Sequence, residues 1–284
     1  MTARVSAYIG LIKPRIIELL LITTVPAMVL AADGWPGWGL VGATLLGGVL
    51  SAGGANAINN FVDRDIDVHM ERTKHRGLPS NAVGPNEALV LGVVLGLMGF
   101  FWLWTTTTLL AAMLATAAFA FYVFVYTMLL KRTTPQNIVI GGAAGAVPAL
   151  VGWAAVTGSL ALPAWILFAV VFFWTPAHFW ALALRFEEDY ARAGVPMLPV
   201  VAGEKETTLQ ITLYAAAVSF VSLMLYPAAS LGPIYLISAV LLGAAFIGST
   251  LMLARDRGKA MGVFKFSNVY LTLLFSAAML DVLT

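Results

Sequence analysis

Cysteine is absent from the 284 residues. Disulfides, thiolate metal sites, iron–sulfur clusters and cysteine nucleophiles are therefore excluded. Charge is scarce as well: charged residues make up 11% of the chain, where a soluble domain carries about 25%. With a net charge of only +2, no nucleic-acid partner is expected. What is abundant is apolar, at 60% of residues, and it is gathered into long blocks. A bilayer span needs about 20 such residues, because a helix rises about 1.5 Å per residue across a hydrocarbon core about 30 Å thick. Nine blocks qualify: about 16–32, 39–62, 87–105, 108–130, 138–156, 163–184, 208–227, 231–253 and 266–283. The expected fold is all-α, a single transmembrane domain of nine helices over residues 1–284. The opening MTARVSAYIGLIKPR shows no cleavage pattern, so the first span is expected to be retained.

The basic residues check the span count. Arg4, Lys13 and Arg15 precede span one; Arg64, Arg72, Lys74 and Arg76 follow span two; Lys131 and Arg132 follow span four. Arg185, Arg192 and Lys205 follow span six, and Arg255, Arg257, Lys259 and Lys265 follow span eight. The opposite loops, 33–38, 105–107, 157–162 and 228–232, hold none. Basic loops translocate poorly, so the N-terminus is expected in the cytoplasm and the C-terminus outside. One span more or fewer would scatter the charges onto both sides. The loops at 63–86 and 185–207 are long and carry most of the acids, which marks them as functional candidates. Small-residue stretches at 47–54 and 141–145 favour close helix approach. Spans two and six both run into acid-rich loops, a weak echo of two four-helix halves plus a ninth helix.

Asn59, Asp63 and Asp67 stand at i, i+4 and i+8, one face of a helix at a membrane surface. Three oxygen-bearing groups in one stripe suit a hard cation such as Mg²⁺, which takes one or two carboxylates plus substrate phosphates. Asp65 lies on another face and is left to water or to a neighbour such as Arg64. Arg72, Lys74, Arg76, Lys131 and Arg192 share the side of the acids and suit a diphosphate, although topology alone would also place them there. Arg132, Arg255, Arg257 and Lys259 are assigned to topology or anionic lipid. In span six, Pro176 is expected to kink the helix. His178 lies roughly two turns inside the membrane, either a functional group or one satisfied by a neighbouring helix. Glu187, Glu188 and Asp189 form a second acidic cluster. Asp189 and Arg192 read either as a plain ion pair or as part of a two-sided metal cage.

The Asn59-x-x-x-Asp63-x-x-x-Asp67 motif resembles the first acidic motif of the UbiA-type intramembrane prenyltransferases. The strings FVDRDID, MERTKHR, YTMLLKRTTPQNIVIGGAAGA, GWAAVTGS, WTPAHFWALAL and EDYARAGVPMLPVV are similar to the haem O synthase branch of that superfamily, from about residue 10 onward. Gly77, Ala177 and Val68-His69 depart from its pattern without removing a proposed ligand. The resemblance implies transfer of farnesyl from farnesyl diphosphate to a vinyl group of haem B, giving haem O for a haem–copper oxidase. It implies Asn59, Asp63, Asp67 and Asp189 as catalytic acids and amide. Mg²⁺ would sit on Asp63, Asp67, Glu188 and Asp189, and diphosphate on Arg72, Lys74, Arg76, Lys131 and Arg192. His178 would face the haem. Membrane lipid, haem A synthase or oxidase assembly proteins are the further partners implied, in a bacterial inner membrane with the site on the cytoplasmic side. Two other readings stay open on the residues alone. One is the same chemistry on a quinone precursor or chlorin. The other is a different class, a secondary transporter or a non-catalytic assembly factor.

Overall fold

The computed structural model describes residues 3–78, 80 and 82–284, the side chains of residues 3 and 15–21 excepted. Its helices are α1 (Ala3–Leu11), α2 (Arg15–Ala32), α3 (Trp38–Val62), α4 (Arg64–Asp67), α5 (Pro85–Thr106) and α6 (Leu109–Ala120). α6 runs on through a π-helical stretch, Phe121–Leu130, into α7 (Lys131–Thr133). Then come α8 (Asn137–Thr157), α9 (Leu162–Arg185), α10 (Glu187–Arg192), α11 (Leu198–Ala228), α12 (Pro233–Leu253) and α13 (Ala260–Leu283). No strand occurs among the described residues.

Among the described residues, eight helices are long and apolar enough to cross a bilayer. The block expected at about 16–32 is α2, whose fully described apolar part, Ile22–Ala32, is shorter than a span. Large apolar side chains such as Leu97, Phe101, Phe124, Phe220 and Leu241 lie on the outside of the bundle, more than half exposed. In water such a surface would be a large penalty; in lipid it costs nothing, while the helices satisfy their own backbone groups. The chain is an integral membrane protein.

Helix starts follow local chemistry. Proline occupies the first or second position of α5, α9, α11 and α12, where its missing N–H costs nothing. Glu87 takes the Gly84 N–H at 3.1 Å, Tyr8 at 2.9 Å and Arg4 at 2.7 Å, so it caps α5 and ties α1 to it. Asp281 near the end of α13 accepts the backbone N–H groups of Gly232, Ile234 and Tyr235, so it caps α12. α3 and α5 meet backbone to backbone: a Cβ on Gly54 would stand 2.6 Å from the Gly92 carbonyl. This is the close approach that the 47–54 stretch was expected to allow.

Three local features differ from the sequence expectation. The acidic stripe is not one helix, because α3 ends at Val62 and Asp63 takes φ −84°, ψ 2° before α4 begins. The segment 185–207 is not a plain loop: it holds α10 and the first ten residues of α11, which breaks at Gly203, φ 77°. Only glycine takes that conformation cheaply. Span four is π-helical over ten residues, a form frequent at functional sites.

Candidate active site

The break at Asp63 keeps the register of the stripe. Asp63 N–H donates to the Asn59 carbonyl and Asp67 N–H to the Asp63 carbonyl, both at 2.9 Å. Asn59, Asp63 and Asp67 are 3%, 1% and 2% exposed. Carboxylates that deep must be compensated, and they are. Lys131 Nζ reaches Asp63 Oδ2 at 2.5 Å, and Arg76 reaches Asp67 Oδ2 at 3.1 Å. Asn59 Nδ2 donates to Asp63 Oδ2 at 2.7 Å and to Thr127 Oγ1 at 3.1 Å. Thr127 returns its own proton to the Tyr122 carbonyl at 2.8 Å, five residues back, which is the π-helical spacing. The widened turn thus brings Thr127 and Lys131 to the end of α3.

One atom is left over. Asp63 Oδ1 is buried and has no hydrogen-bond partner, with the Arg132 guanidinium 3.8 Å away. A buried acceptor without a donor is costly, and a hard divalent cation would relieve it. No three acidic or histidine side chains among the described residues gather closely enough to hold an ion alone. The residues present fit a cation held by one or two carboxylates and completed by a phosphate ligand and water.

The four acids expected to form a cage do not stand together among the described residues. α10 turns Asp189 and Tyr190 inward and leaves Glu188 exposed, as its helical spacing dictates. Asp189 is 6% exposed and pairs with Arg192, whose own side chain is half exposed. Lys74 pairs with Glu71 at 2.5 Å on the surface and does not join the acids. Arg72 is exposed but reaches α10: it donates to Tyr190 Oη at 3.1 Å and lies over the Phe186 and Tyr190 rings, which links the segment after α4 to α10. Asp65 pairs with both guanidinium nitrogens of Arg132 at 2.7 Å, not with Arg64, which stacks on Phe61. That contact holds the Asp65 carboxyl down at about 2. Arg257 is likewise structural, held by Glu187 at 2.6 Å and the Leu184 carbonyl at 2.8 Å.

Sequence reasoning missed Lys13, assigned to topology alone. It sits between α1 and α2 at φ 51°, and its Nζ donates to Asn59 Oδ1 at 2.8 Å. Burial, reinforced by Arg76 and Lys131, pushes its ammonium down to about 7. Nothing in its spacing marks it, because the contact joins segments 46 residues apart.

Beside this polar cluster lies a cavity of about 400 Å³, within the range of about 300–1,000 Å³ usual for ligand sites. α2, α3, α6, the π-helical stretch, α8 and α9 line it, largely with small residues and aromatic rings. Asn56, one turn before Asn59, marks the near end, and Leu45 is about 16 Å further along α3 by helix rise. Gly141 leaves room for Tyr126, whose ring a Cβ there would meet at 2.2 Å. His178 lines the same cavity, stacked on Trp174 and Phe264.

A helical membrane bundle that joins an acid–base cluster to a greasy chamber is the architecture of a prenyl-group transferase, and the chain belongs to the UbiA prenyltransferase family, which it matches over residues 20–274. It is a prenyltransferase. Among its relatives, the protoheme IX farnesyltransferase of Parafrankia sp. (strain EAN1pec) is 53% identical over 97% of this chain and 90% of that one. The protoheme IX farnesyltransferase of Frankia alni is 52% identical over 98% of each. Solved structures share the fold. A digeranylgeranylglyceryl phosphate synthase aligns with TM-score 0.81 at 20% identity over 99% of each chain. A UbiA homologue from Archaeoglobus fulgidus, bound to DMAPP and Mg²⁺, aligns with TM-score 0.68 at 15% identity over 95% of this chain and 98% of that one.

Proposed function

We propose that the protein transfers a farnesyl group from farnesyl diphosphate to a vinyl group of haem B, giving haem O, with Mg²⁺ on Asp63 and Asp67. The observation that carries the chemistry is the buried, unpartnered Asp63 Oδ1, two turns along the chain from Asn56 at the end of the apolar cavity. The acceptor is supported by the names and near-full-length identity of the relatives. The distribution of Lys and Arg supports a bacterial plasma membrane enzyme loading its diphosphate from the cytoplasmic side.

Asp63 and Asp67 would hold the ion, and Mg²⁺ when bound neutralises charge on the departing diphosphate. Lys131 and Arg76 already stand against the two acids and would swing part of their hydrogen bonding to phosphate oxygens, joined by Arg72 and Lys13. Asn59 holds Asp63, Lys13 and Thr127 in register. Asp189 is retained as the second acidic contribution, and Glu188, Lys74 and Arg192 are not assigned to the site. The bond from C1 of the prenyl chain to oxygen breaks with its electron pair leaving on diphosphate. The vinyl π electrons of the acceptor attack the allylic cation at C1. Water captures the porphyrin-side cation and loses a proton, which leaves the hydroxyl. The apolar walls keep water from quenching the first cation.

Purified protein in liposomes, given farnesyl diphosphate with haem B or with 4-hydroxybenzoate, tests the acceptor. Mass analysis should find the chain on haem B only; prenylated 4-hydroxybenzoate in place of haem O would sink the reading.

A further inference from the structure

Ser267 on α13 has no exposed surface and faces α9. Its hydroxyl has one proton to give, and it gives it to the Phe264 carbonyl at 2.7 Å. The same oxygen stands 2.6 Å from His178 Nδ1. A proton kept on that carbonyl leaves Ser267 Oγ as the acceptor toward Nδ1, the arrangement in which Nδ1 carries the hydrogen and Nε2 the lone pair. The Ser267 carbonyl accepts Trp174 Nε1 at 2.8 Å, one turn before His178 on α9. Trp174 and Phe264 stack on the imidazole with centroids at 4.2 and 4.4 Å. The ring is therefore held by its faces and by Nδ1. His178 lines the cavity, and Nε2 is the polar ring atom left to face it.

We propose that Ser267 is a positioning residue that locks His178 in the Nδ1–H tautomer, so that Nε2 offers a neutral nitrogen ligand to the iron of the porphyrin acceptor. The proposal rests on the haem acceptor argued above. A ligating histidine whose other nitrogen donates to a fixed oxygen is held in orientation and made more basic. Iron ligation at His178 would fix the macrocycle in the chamber that Tyr122 and Tyr126 share with the prenyl chain. The iron changes neither charge nor ligand count in the transfer; it serves as the handle by which the vinyl group is aimed.

Two measurements test this. In histidine-labelled protein without haem, the ¹⁵N resonances of His178, identified by their loss in His178→Gln, should show a protonated Nδ1 and a bare Nε2. The opposite tautomer would overturn the proposal. Titration with haem B should give the optical spectrum of nitrogen-ligated iron. Ser267→Ala should weaken that binding about 10–100-fold, and Ser267→Thr, which keeps the hydroxyl, should restore most of it. Farnesyl diphosphate binding should be unchanged in Ser267→Ala, which shows that the variant is folded. A Ser267→Ala protein with the wild-type haem affinity and spectrum overturns the role of Ser267 while leaving the haem acceptor standing. A wild-type protein that forms haem O but gives no nitrogen-ligated spectrum overturns the ligand role alone, while failure to form haem O would count against the acceptor.

Discussion

Asp63→Asn perturbs the site with almost no change of shape. In the native protein Oδ2 accepts from Asn59 at 2.7 Å and Lys131 at 2.5 Å, while Oδ1 has no donor. Asparagine has one acceptor oxygen. If that oxygen stays with Lys131 and Asn59, an NH₂ group replaces Oδ1, and a donor faces the position a cation would take. If the amide flips, the NH₂ points at the Lys131 ammonium. Both outcomes remove a negative charge from a residue that is 1% exposed. Breaking a buried pair by removing one partner costs about 3–5 kcal/mol. Lys131 keeps 14% of its side-chain surface, and the unflipped amide retains its hydrogen bonds to Lys131 and Asn59, so the loss of stability should be about 3 kcal/mol. Losing one preorganised electrostatic contact in catalysis costs about 2.7–4 kcal/mol, a rate loss of about 10²–10³. The assay is haem O formation by purified protein in liposomes across a Mg²⁺ titration. The expected result is a fall of that size, with the residual activity moved to higher Mg²⁺. Full turnover at low Mg²⁺ would refute the reasoning.

Lys131→Met should act in opposite directions on two readouts. Removing the competing ammonium should tighten Mn²⁺ binding without diphosphate by about tenfold or more, as judged by spin resonance, while transfer falls; weaker metal binding would contradict the placement of Lys131 on the metal-binding acid. A Cβ on Gly145 meets nothing within 4 Å, and Gly145 lines the cavity, so Gly145→Leu should shorten the chamber without a clash and gain up to about 1 kcal/mol of helix propensity. Its kcat/KM ratio should shift toward geranyl over farnesyl diphosphate by about tenfold or more, and an unchanged ratio would place the chain elsewhere. The Asp65–Arg132 pair borders the catalytic cluster, with Arg132 3.8 Å from Asp63 Oδ1. Because Asp65 is held down at about 2, its contribution is complete above the unfolded value of about 3.9 and is lost as pH falls from there toward the folded value. Asp65→Asn should cost less than about 1 kcal/mol at pH 7 and, by freeing Arg132 to approach Asp63 Oδ1, move the Mg²⁺ dependence of transfer to higher concentration; an unchanged metal dependence would show that Arg132 does not compete with the ion.

How much was legible in the sequence differs residue by residue. Eight of the nine spans were, because a run of apolar residues of bilayer length has one stable solution in lipid. So was the stripe of Asn59, Asp63 and Asp67, because i, i+4 spacing is a local property that survives the break at Asp63. The strings around residues 61–76 and 174–200 carried the family, and the comparisons agree.

Only the folded chain decided the rest. Which acid of α10 turns inward depended on how a six-residue helix docks, and it chose Asp189 over Glu188. Lys13 and Lys74 look alike as basic residues near a membrane surface, yet one reaches Asn59 and the other Glu71. The orphaned oxygen of Asp63 and the hydroxyl that fixes His178 depend on hydrogen bonds that must be counted atom by atom. Sequence alone set what is local: apolar length, charge side and helical spacing. Contacts between segments tens of residues apart have no local signature, so the tertiary structure alone determined which charges pair and which are left free.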